Sequence, residues 1–67
     1  MKIFAERLKE LRTEKGLSLK ELATKIGVSD IAISRWENEL RIPKIDTLAS
    51  IAKFFGVSSD YLIGLED

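Results

Sequence analysis

The sequence contains no cysteine and no histidine. The first absence rules out disulfides, thiolate nucleophiles and thiolate metal ligands, and the second removes the commonest general base and the usual zinc ligand. Proline occurs once, at Pro43. No run of about 18 apolar residues spans a bilayer, and no charged segment leads into the apolar stretch of a secretory signal, so the expected location is the cytoplasm. A chain of 67 residues buries only about 60% of the surface its unfolded form exposes, which leaves any cleft shallow. Neither an enzyme nor a metal or cofactor site is expected.

Excess charge of either sign is missing as well. The 11 basic and 11 acidic side chains cancel, whereas nucleic-acid-binding domains are often strongly basic. The cancellation is uneven along the chain. Asp60, Glu66 and Asp67 fall in the last eight residues, which have no Lys or Arg, so residues 1–59 carry 11 basic against 8 acidic groups, a net charge of +3. A locally basic face is compatible with that distribution.

What is present is a repeated punctuation: Gly16-Leu17-Ser18, Gly27-Val28-Ser29 and Gly56-Val57-Ser58. Each reads as a glycine closing one helix in the left-handed conformation, an apolar residue, and a serine capping the next helix. Four residues beyond each serine stands Leu22, Ile33 or Leu62, placed for a hydrophobic staple against Leu17, Val28 or Val57. Glu21, three residues after Ser18, completes a capping box.

The apolar spacing of three and four predicts helices and no strand. The first helix spans Lys2 to Lys15, with Ile3 or Phe4, Leu8 and Leu11 on one face. The second runs from Ser18 to Ile26 and the third from Ser29 to Asn38, burying Ile33 and Trp36. Pro43 keeps residues 39–43 out of helical geometry. The fourth helix covers Lys44 to Phe55, with Ile45, Leu48, Ala49, Ile51, Ala52 and Phe55 apolar. Tyr61, Leu62, Ile63 and Leu65 mark a short fifth. Residues 1–67 are thus expected to form one all-α domain.

The two short helices joined around Gly27 have the geometry of a helix-turn-helix, whose second helix enters the DNA major groove. These residues, the "RWEN" at 35–38, the proline before the fourth helix and the "FGVSSDYL" at 55–62 resemble the phage-repressor and Cro type of helix-turn-helix, the XRE family. The resemblance covers almost the whole chain. It implies a compact five-helix, lambda-repressor-like domain acting as a dimeric transcriptional regulator, with repression the expected outcome, on a palindromic double-stranded DNA operator.

The same resemblance implies roles for particular residues. Asp30, Ile31, Ala32, Ser34 and Arg35 fall where the family reads bases, and Ser18, Ser29, Asn38, Arg41 and Lys44 where it touches phosphates. Leu19 stands where the family often has a phosphate-bonding glutamine, and Lys20 is a partial replacement. Arg12 and Glu37 match a buried ion pair between the first and third helices.

The side chains themselves suggest a chemistry for the third helix. A carboxylate such as Asp30 accepts from a cytosine amine, Ile31 and Ala32 suit thymine methyl groups, and Arg35 suits guanine. Asp30 also complements the positive end of the helix dipole without any DNA. Tyr61, Ile63 and Leu65 are too crowded to be buried together by one short helix, so they are the expected surface of a weak homodimer. The competing reading is a protein-interaction module, such as the antitoxin of a toxin–antitoxin pair, and it draws on the zero net charge, Leu19 and Asp30.

Overall fold

Helix ends fix this architecture. In the computed structural model, which describes all 67 residues, the hydroxyl oxygens of Ser18, Ser29 and Ser58 accept hydrogen bonds from the amides of Glu21, Ala32 and Tyr61. The helices that result are α1 (Lys2–Glu14), α2 (Leu19–Ile26), α3 (Asp30–Glu37), α4 (Ile45–Phe55) and α5 (Ser59–Ile63). Leu17, Val28 and Val57, each preceding a capping serine, are half-buried against the cluster that contains Leu22, Ile33 and Leu62.

All five helices close in the same way. An amide two residues past the last turn reaches back to a carbonyl five positions earlier, as in Val28 to Ala23, Leu40 to Arg35 and Val57 to Ala52. Such a closure needs a left-handed residue. Glycine supplies it at positions 16, 27, 56 and 64, but α3 uses Glu39, with φ at +62°. For a residue with a Cβ that conformation costs about 1–2 kcal/mol.

The core lies among the five helices, with α1 packed on α3 and α5, α2 on α3 and α4, and α4 on α5. Phe4, Leu8, Leu22, Ile33, Ile51 and Leu62 are fully buried, and burial of a side chain of this size stabilises a fold by about 1.5–3 kcal/mol. No helix is long and apolar enough to cross a membrane.

Several positions left open or only approximate in the sequence are settled by the fold. Ile45, at the start of α4, is 84% exposed, and Ala49 is exposed too. Ile3 lies outside the core, and Phe4 takes the inward position on α1. Leu65 follows the left-handed Gly64 that ends α5, so it extends off the helix and is 72% exposed. Lys15, Asn38 and Lys44 cap helices rather than belong to them.

Candidate nucleic-acid interface

The turn between α2 and α3 is set by Gly27, at φ +75° and ψ +34°. Ile33 and Trp36 hold the inner side of α3 against α1 and α2. The end of α3 is pinned from α1. Arg12 Nε donates to Glu37 Oε2 at 2.7 Å, Nη2 donates to Oε1 at 2.9 Å, and Nη1 donates to the Leu17 carbonyl at 2.9 Å. Only 13% and 7% of the two side chains remain accessible. The hydrogen bonding to Glu37 raises the Arg12 pKa above its ordinary value, against the opposing effect of burial. One guanidinium thus ties together α1, the turn leading to α2, and α3.

With its inner side fixed, α3 presents Asp30, Ile31 and Arg35 to solvent. Ile31 is 60% exposed, a large apolar side chain unsupported by the fold. Ala32 is half-buried and packs against the core, since it lies one turn before Trp36. Ser34 is also half-buried. The Asn38 amide donates to the Ser34 carbonyl at 2.7 Å and lies 3.4 Å from its hydroxyl. Ala32 and Ser34 therefore offer less of their side chains to a ligand than the sequence alone suggests.

The groups expected at phosphates come from the start of α2, the N-cap of α3 and the segment before α4. Ser18 and Ser29 use their hydroxyl oxygens as acceptors within the caps, which leaves each hydroxyl hydrogen free to donate. Lys20, Arg41 and Lys44 are exposed, with Lys44 at the N-cap of α4, where its side chain forms no capping bond. Leu19 packs against the core, so it brings no polar group to this surface. Sequence reasoning passed over Lys25, which lines an open depression with Ser18, Lys20, Glu21 and Thr24.

On α5, Tyr61 is less available than expected. The Arg7 guanidinium lies over its ring, 4.3 Å from the centroid, and donates to the Tyr61 carbonyl and, at 2.7 Å, to the Glu66 carbonyl. Ile63 is half-buried. Met1, Ile42, Pro43, Ile45, Leu48 and Ile63 line a small apolar groove.

Residues 8–62 match the helix-turn-helix family. The chain is similar to the HTH-type transcriptional activator BcrR of Enterococcus faecalis, 42% identical over 64 residues that make up 96% of this chain and 31% of BcrR. It spans 31% to 58% of the length of such curated relatives. Among solved structures it resembles the P22 c2 repressor in complex with a synthetic operator, with a TM-score of 0.85 and 31% identity over 92% of this chain and 94% of that one. It also resembles SinR, a master regulator of biofilm formation solved in complex with DNA, with a TM-score of 0.82 and 38% identity over 90% of this chain and 97% of that one.

Proposed function

Because the chain belongs to the helix-turn-helix family, in its phage-repressor and Cro branch, we propose that it is a sequence-specific, double-stranded-DNA-binding transcriptional regulator whose α3 enters the major groove. The observation that carries this reading is the two-sidedness of α3. Its inner side is fixed by Ile33, Trp36 and the Arg12–Glu37 pair, and its outer side exposes Asp30, Ile31 and Arg35 without internal partners. Those three offer an acceptor for cytosine N4, an apolar contact for a thymine methyl group and a fork for guanine O6 and N7. Ser34 and Ala32 support the same surface from its margin.

Backbone gripping falls to Ser18, Lys20, Ser29, Arg41 and Lys44, with Asn38 bracing the end of α3. Such contacts set position and register, not sequence preference. The activity is regulatory and non-catalytic, repression being the favoured outcome, and it is exercised in the cytoplasm. That BcrR is a transcriptional activator and the P22 c2 protein a repressor seen on operator DNA favours this reading over an antitoxin or other purely protein-binding module.

The chain acts as a weak homodimer that forms mainly on DNA. Ile63 and Leu65 contribute to its surface together with the exposed Ile42 and Ile45, whereas Tyr61 contributes through the part of its ring left uncovered by Arg7. Two-fold pairing sets the recognition helices about 34 Å apart and requires a palindromic operator with half-site centres about 10 base pairs apart. Selection of bound duplexes from a random pool tests the proposal: a shared palindrome of that spacing supports it, and a pool that acquires no common sequence refutes it.

A further inference from the structure

Glu21 is not among the groups assigned to DNA, yet it stands in their midst. Its Oε1 accepts the Ser18 amide hydrogen at 2.8 Å, and its own amide donates to Ser18 Oγ at 3.0 Å. At the opening of α2 only the amides of Leu19 and Lys20 then make no hydrogen bond within the chain. The Glu21 carboxylate is solvent-exposed, shares the open depression with Lys20 and Lys25, and forms no ion pair with either. It thus fills one donor of the helix end and adds a negative charge among the cations that flank it.

We propose that Glu21 limits how tightly the start of α2 grips the DNA backbone, by setting a carboxylate beside the phosphate path. The proposal rests on the reading that this helix end meets phosphate. Its consequence is independent of DNA sequence, because backbone contacts carry no base information. It is also electrostatic, so it fades as salt shortens the reach of an exposed charge.

Titration of the unsubstituted chain, Glu21→Gln and Glu21→Asp against a random duplex and a selected duplex tests this directly. Glutamine still completes the capping box, while aspartate keeps the charge. Glu21→Gln is expected to bind both duplexes roughly 2–5-fold more tightly at low salt, by the same factor on each, with the gain shrinking as salt rises. Glu21→Asp is expected to stay close to the unsubstituted chain. An unchanged or weakened affinity in Glu21→Gln overturns the proposal, as does a gain confined to one duplex or one that persists at high salt. Absence of binding by the unsubstituted chain instead overturns the DNA-binding reading itself.

Discussion

Arg12 on α1 and Glu37 on α3 join through two parallel hydrogen bonds across 25 residues of sequence. The pair is largely shielded from solvent, and each partner left alone is a part-buried charge that has lost its counter-ion.

Arg12→Ala and Glu37→Ala are therefore each expected to lower the unfolding free energy by about 3–5 kcal/mol, with the double variant losing less than the sum. Urea unfolding measures all three. Losses below about 1 kcal/mol in both single variants would mean that the pair behaves as an exposed one.

Glu39 occupies the left-handed position that glycine fills at the other four helix ends. Glu39→Gly relieves the strain of that backbone but adds freedom to the unfolded chain, so a net gain of about 0.5–1 kcal/mol is expected. A rise in the urea midpoint with an unchanged m-value reports it. A destabilised variant contradicts a strained Glu39.

The pKa of Glu21 is lowered, first by the Ser18 backbone hydrogen bond, then by the Ser18 side chain, with Lys25 adding a smaller attraction. A carboxyl depressed in the folded state stabilises the fold above its unfolded pKa of about 4.3 and loses that contribution as pH falls through its lower folded value. The thermal stability advantage of the unsubstituted chain over Glu21→Gln should accordingly be constant near neutral pH and shrink on acidification below about pH 4. An advantage independent of pH refutes the charged form of the box.

Ile45 and Leu65 lie outside the core, so replacing both with serine should leave thermal unfolding nearly unchanged while weakening cooperative binding to a palindromic site. Leu62→Ala, by contrast, removes a fully buried side chain and is expected to cost about 2–5 kcal/mol of stability. Undiminished cooperativity in the Ile45→Ser/Leu65→Ser variant rules out this apolar surface as the dimer contact.

The features legible in the sequence are those encoded within a few neighbouring residues. Ser18, Ser29 and Ser58 declare their helices because cap, staple and preceding glycine all lie within one turn of each other. The end of α3 has the same backbone closure without the glycine, so Glu39 gives no such signal. Lys44 opens α4 with no side-chain capping bond, which hides that boundary equally well. Burial depends on where helices meet, and periodicity cannot say that Ile45 and Ala49 stay open to solvent. The same holds at the site: Asp30, Ile31 and Arg35 were legible through the resemblance to the phage-repressor family, while the partial cover of Ala32 and Ser34 and the Arg7 clamp on Tyr61 arise from tertiary contacts.

The central claim is that α3 reads bases while the cations around it hold phosphates. Its most direct test is the salt-dependent titration of Arg35→Ala, Arg41→Ala and Lys44→Ala against the selected duplex and a random one. Arg41→Ala and Lys44→Ala are expected to weaken binding to both duplexes alike, each reducing the slope of log K against log salt by about 0.9. Arg35→Ala is expected to lose about 1–3 kcal/mol on the selected duplex and to relax preference at one base pair. If all three variants lose the same affinity on both duplexes, α3 does not read the sequence.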